Sequence, residues 1–304
     1  MAGAKGHGGA GFGDHLAATG RSIVADARHA LADPALGDAA RVHELRKAFK
    51  RWRAWLRLLS GPIGAPAEEM RLAARTLMRS LSGARDAQGA LDAIDDLAHG
   101  DTGLSARSLA TIRARLVALR DAAESASLTP QTRAAIAGHL DEADRALDAW
   151  PIADIGFATV ADALTATFRR ARQLAPKDWQ AVEPVQLHAL RRRVVEHRHQ
   201  MELIEPLWPR VTKAWAEEAQ RLRNRLGACQ DLSVLTAFVA PHQPLAAWRV
   251  RLTPPIAARR KAHLKSAARL AGRLFAEKPK AFRARIGALW SARQRGKAKK
   301  KKAA

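Results

Sequence analysis

The sequence predicts an all-α protein, and three observations carry that reading. Apolar residues make up 47% of the 304 positions, supplied by Ala- and Leu-containing runs with few clusters of Val, Ile or Thr. In RVHELRKAFKRWRAWLRLL, residues 41–59, Val42, Leu45, Phe49, Trp52, Leu56 and Leu59 recur at steps of three and four, the spacing of one helix face. The same pattern returns 145 residues later, in LHALRRRVVEHRHQMELI at 187–204.

Each element can be justified in order. The opening MAGAKGHGGAGFG is Gly-rich and lacks the apolar core of a signal peptide, so residues 1–14 are expected to form a flexible leader. The helix over 42–59 stops at SGPIGAP, 60–66, where Gly and Pro supply a turn. A second helix is expected from about Ala67 to Ala84, ending near Asp86. Helical segments follow at 88–98, 104–125, 130–149 and 157–174, separated by HGDTG, LTP and WPIADIG. LAPKDWQAVEP, 174–184, is a clear break before the returning helix. PPIAARRKAHLKSAARLAGRLFAEKPKAFRARIGALW then supplies two more basic helices joined near Lys278 and Pro279. Residues 291–304, SARQRGKAKKKKAA, have nothing apolar to pack and are expected to be disordered.

At the constant offset of 145, Val42, Leu45, Phe49, Leu56 and Leu59 meet Leu187, Leu190, Val194, Met201 and Ile204. His43 meets His188, Arg46 meets Arg191, Lys47 meets Arg192 and Arg53 meets Arg198. The register carries on through the turn to Leu77 and Leu222, Leu81 and Leu226, Asp86 and Asp231. This implies an internal duplication, with a helical half at about 15–150 and another at about 151–290, each a small bundle.

Charge narrows the function. Lys and Arg number 52 against 29 Asp and Glu, for a net charge of +23 and a pI near 11.4. Self-repulsion on that scale points to a polyanionic partner: nucleic acid, an anionic membrane or a phosphate polymer. His43, Arg46, Lys50, Arg53 and Arg57 step by three and four beside the apolar seam, so burying the seam aims this cationic line along its rim. One cysteine, Cys229, leaves no internal disulfide or Cys-based zinc site and fits a reducing, cytoplasmic setting. No apolar run approaches the roughly 20 residues of a membrane span. EHRH at 196–199 places His197 and His199 two apart, on different helix faces, so no metal site is expected. Neither a Gly-rich phosphate loop nor a G-x-S-x-G elbow is present, and the reading is of a non-enzyme without cofactor.

His43, Arg46, Lys50, Arg51 and Arg53 spell H-x-x-R-x-x-x-K-R-x-R, which resembles the CHAD family, the conserved-histidine α-helical domain. His188, Arg191, Arg192 and Arg198 are similar to the family's repeat of that helix, while GARD (83–86) and LGACQD (226–231) resemble the ends of its second helix. The likeness covers most of 15–290. It implies two antiparallel helical bundles related by a pseudo-twofold axis, with a central basic groove that binds inorganic polyphosphate. The E-x-E-x-K strand of the triphosphate-tunnel hydrolases that often accompany this domain is missing, so a free-standing binding module is expected. The polyphosphate-binding residues expected are His43, Arg46, Lys47, Lys50, Arg51, Arg53, Arg79, His188, Arg191, Arg192, Arg198 and Arg223. Val195 and Glu196 stand where Lys50 and Arg51 stand in the first half, which thins the second line of cations. Association with polyphosphate granules would follow from such binding. A nucleic-acid-binding, nucleoid-like protein is the alternative, with the Lys-rich tail as a nonspecific contact. Oligomeric state is not legible in the chain.

Overall fold

The computed structural model describes residues 11–81, 83–100, 103–125 and 128–303, with side chains except those of 124, 125 and 297–303. The described residues form eleven α-helices and no strand. They are α1 Phe12–Ala32, α2 Asp38–Leu59, α3 Ala65–Ser80, α4 Arg85–Ala98, α5 Ala106–Ser125 and α6 Pro130–Ala149. After a short 3-10 turn come α7 Phe157–Leu174, α8 Pro184–Leu203, α9 Pro209–Phe238, α10 Arg249–Leu274 and α11 Pro279–Ala303.

The seam read from sequence is the structural axis. Leu45, Phe49, Trp52, Leu56 and Leu59 are buried, as are Leu187, Leu190, Val194, Met201 and Ile204. Burying a side chain of this size stabilises by roughly 1.5–3 kcal/mol, which fixes the rotation of α2 and α8 about their own axes. Packing then sets α2 against α1, α3 and α8, and α8 against α7 and α9. Trp52 and Trp55 stack with ring centroids 4.8 Å apart, and Trp55 Nε1 donates to the Leu16 carbonyl across α1 at 2.9 Å.

Buried residues gather into two clusters. The larger joins α1–α3 and α6 with α7, α8, the start of α9, the end of α10 and α11. The smaller unites α4, α5, the end of α9 and the start of α10. Each therefore mixes helices from both sides of residue 150, and α9 runs through both.

Three local expectations change. The leader is shorter than 14 residues: Phe12 is buried, edge-on to Phe157 and Trp290, so α1 begins at once. Residues 1–10 lie outside the described residues. The second helix ends at Ser80 instead of Ala84, whereas its counterpart α9 continues without interruption to Phe238. LSGAR contains a residue pair unfavourable to helix, while LGACQ has only Gly227 to weaken it. The Lys-rich stretch expected to be disordered is continuous with α11 through Ala303, in keeping with the helix preference of Ala, Lys and Arg. No helix among the described residues is long and apolar enough to cross a membrane.

One buried titratable group belongs to this core. His197 lies against Phe168, Phe275 and Phe282, and burial pushes its imidazole down to about 4. The folded chain thus refuses a proton that the unfolded chain takes up near 6.5, so this residue costs stability as pH falls from about 6.5 to about 4. His197→Leu is expected to gain stability over wild type across that window and little above it, measured by chemical denaturation at several pH values.

Candidate polyanion-binding site

Rotation of α2 and α8 by their buried seams leaves the cations of both helices half-buried beside the helix–helix contact. Arg46 and Lys50 of α2 meet Arg191 of α8, Arg223 of α9 and Arg85 of α4; the charges of all five act on one another. Lys50 is held down to about 8, first by burial and then by Arg46, Arg223, Arg191 and Arg85. Arg191 is lowered to about 10, again by burial first and then by Arg223 and Arg85. Arg46 and Arg223 shift the same way for the same leading cause. Like charges repel, and more strongly where burial keeps bulk water away. Clustering of this kind opposes folding.

Two contacts hold the cluster in shape. Arg46 donates to the carbonyl of Leu81 at 2.8 Å, bonding the end of α3, where the helix dipole favours a cation. Arg191 lies over Gly227, where an added Cβ would sit 3.5 Å from its Nε. The Arg191 Nε is buried without a hydrogen-bond partner among the described residues.

A second group continues the first. Arg53, Arg57, Arg71, Arg75 and Arg192 act on one another from α2, α3 and α8. Buried Glu196 sits among them, bonded to Arg193 and 3.9 Å from Arg57. The Nε atoms of Arg53 and Arg57 are likewise buried and unpartnered among the described residues. Beyond Arg57 and Arg193 lies a cavity of about 450 Å³ whose lining adds Arg170, Thr159 and Thr167. The two groups meet at Arg192, whose charge reaches both Arg53 and His188. His188 Nδ1 donates to Gln230 Oε1 at 3.2 Å, and burial, outweighing that bond, lowers its pKa. A neutral ring so held gains a second donor only when Nε2 is protonated.

Residues 18–240 match the family described as CHAD domain. The chain belongs to the CHAD domain family. Among solved structures it is similar to the CHAD domain from the plant Ricinus communis, at 19% identity and a TM-score of 0.59 over 92% of each chain. It is also similar to PptA from Streptomyces chartreusis, at 17% identity and a TM-score of 0.62, covering 87% of this chain and 99% of the other. At these identities the likeness is one of fold. No curated protein matches the chain.

Within this CHAD domain the residues singled out from sequence separate. Arg46, Lys50, Arg191 and Arg223 converge; Arg198 reaches Arg223 and also pairs with Glu202 at 2.8 Å. Arg53, Arg192 and His188 join the continuation, and Arg79 adjoins it through Arg75. Three stand apart. His43 is exposed, Lys47 pairs with Glu44 at 3.1 Å, and Arg51 turns to α1 to pair with Asp26. Two further cations of α9 are occupied elsewhere: Arg221 pairs with Glu218 and Arg225 reaches His263. Glu196, which thins the second line, is buried and pairs with Arg193.

Arg85, the first residue of α4, was not among the binding residues expected from sequence, yet its charge acts on Arg46, Lys50 and Arg191. Sequence reasoning also missed Arg71 and Arg75, although 71, 75 and 79 step by four along α3. Asp231 caps no helix end: it lies within α9 facing Arg191, Arg85 and Arg223, and Gly89 of α4 admits it, since a Cβ there would lie 3.1 Å from Oδ1. Among the described residues no group of His, Cys, Asp or Glu could hold a metal ion.

Burial, reinforced by Asp92, pushes the Asp231 carboxyl up to about 6. Its folded pKa exceeds the ordinary value, so ionisation costs stability above about 6 and the cost vanishes as pH falls toward 4. Asp231→Asn is therefore expected to raise the melting temperature at pH 7 by several degrees and to match wild type near pH 4, read by scanning calorimetry.

Proposed function

We propose that this CHAD-domain protein binds inorganic polyphosphate along the cations of α2, α3, α4, α8 and α9, and does so without chemical conversion of the polymer. The observation that carries the reading is the gathering of Arg46, Lys50, Arg191, Arg223 and Arg85 from four helices, so placed that burial and then the charges of the four arginines push the Lys50 amine down. A linear phosphate chain relieves that repulsion, meets bidentate Arg donors and releases counterions. It is also thin enough to reach half-buried side chains between helices, whereas a duplex presents its phosphates on a wide, stiff surface. The nearest carboxylates, Asp231 and Glu196, face arginines and serve the cluster as counter-charges. Cytoplasmic polyphosphate granules are the setting in which such a protein would act.

The test is a titration with long-chain polyphosphate at about 150 mM salt, where bulk charge is screened. Arg46→Gln combined with Arg191→Gln removes two charge-assisted contacts of about 1.5–3 kcal/mol each, so affinity is expected to fall about 100-fold or more with the melting temperature kept or raised. Undiminished binding in the folded double variant would remove the cluster as the site. Shortening of the polymer by wild type in the presence of Mg²⁺ would overturn the non-catalytic part.

A further inference from the structure

The charge of this chain is not where its candidate site is. After Asp231 lie 19 of the 52 Lys and Arg residues but a single acid, Glu277, so the last 73 residues carry +18 of the net +23. The family match ends at 240, ahead of all of this charge. Helix α10 has eight cations and no acid of its own. Its inner side is firmly docked: Leu252, Ile256, Leu264, Ala267 and Ala271 are buried, and Arg259 and His263 both bond Asp96 of α4, at 2.6 and 2.7 Å. That clamp fixes which way the opposite face points.

The opposite face is cationic and uncompensated. Arg251, Lys261, Lys265, Arg269 and Arg273 are exposed, and none pairs with an acid among the described residues. Lys261, Lys265, Arg269 and Arg273 follow one another at intervals of four, about 6 Å per step. Between them the outward residues are small, with Ala258, Ala262 and Gly272 exposed, so a partner's backbone can come close. Exposed Lys278 and Lys280 extend the charge onto α11.

We infer that this outer face of α10 is a second binding surface, separate from the α2–α8 cluster, and that it docks along the phosphate backbone of double-stranded nucleic acid. The chemistry differs from that of the cluster. These cations are solvated and set on a convex helix, which suits a stiff polyanion bearing one charge per roughly 1.7 Å of axis, where affinity comes from counterion release. A membrane surface is disfavoured, because an interfacial helix needs an apolar face to insert and that of α10 is spent on the core; Val250 is its one large exposed apolar residue.

The experiment titrates the full chain with a duplex of about 20 base pairs at several salt concentrations, following fluorescence anisotropy. The quadruple variant Lys261→Gln, Lys265→Gln, Arg269→Gln, Arg273→Gln, altered only at exposed positions, is compared with the Arg46→Gln, Arg191→Gln variant. The quadruple variant is expected to bind duplex at least tenfold more weakly at about 150 mM salt, with a log–log salt slope shallower by about 3–4 units. Its polyphosphate affinity should stay within about threefold of wild type, and the α2–α8 variant should show the converse. An unchanged salt slope overturns the proposal. So does an equal loss of polyphosphate binding, which would make α10 part of one continuous track, or a loss confined to vesicles of anionic lipid. Failure of the α2–α8 variant to lose polyphosphate would count against the proposed function and leave this surface standing.

Discussion

Repulsion among half-buried guanidiniums is the constraint that organises this protein. Lys50, Arg46, Arg191, Arg223 and Arg85 would move apart if their side chains were free, and they stay together because each grows from a helix whose other face is locked in the core. Leu45 and Phe49 fix Arg46 and Lys50; Leu190 and Val194 fix Arg191; Leu222 and Leu226 fix Arg223. The large apolar cluster supplies the stability that the cations take away. Counter-charge is rationed. Glu196 and Asp231 lie among the cations, Glu68 bonds Arg71 and Asp92 acts on Arg223, so the cations are partly offset but remain in excess. An anionic polymer then meets a surface already arranged and already short of partners.

How much of this was legible in the sequence follows from what each feature depends on. The seams of α2 and α8 depend on periodicity within one helix, and both were read residue by residue. Arg46, Lys50 and Arg191 share those helices and so were found with them. Arg85 could not be ranked, because its role rests on α4 packing against α9, a contact between elements far apart in sequence. The partners of Glu196 were not legible for the same reason: they depend on how α8 packs against α2. Arg51 points elsewhere. It sits one residue from Lys50, yet a helix turns 100° per residue, and that rotation carries Arg51 to Asp26 on α1.

Net charge proved a blunt indicator. The value of +23 describes the whole chain, and most of the excess lies after Asp231. What distinguishes the α2–α8 cluster is the cost of its cations, expressed in burial, lowered pKa values and unpartnered Nε atoms. The cations on the outer face of α10 are exposed instead. Two kinds of positive surface, one strained and enclosed and one solvated and open, are thus built on adjoining helices of a single chain.

The claim that polyphosphate enters at the strained cluster is tested most directly by proton counting. Calorimetric titration of the protein with polyphosphate at pH 8, in two buffers of different ionisation enthalpy, reports protons taken up on binding. The Lys50 amine is held down to about 8, so a share of it is neutral at that pH and a bound phosphate chain should charge it. Proton uptake on binding, lost in Lys50→Met, is the result this account predicts. Tight binding whose proton uptake is the same in Lys50→Met would mean that the polymer sits elsewhere.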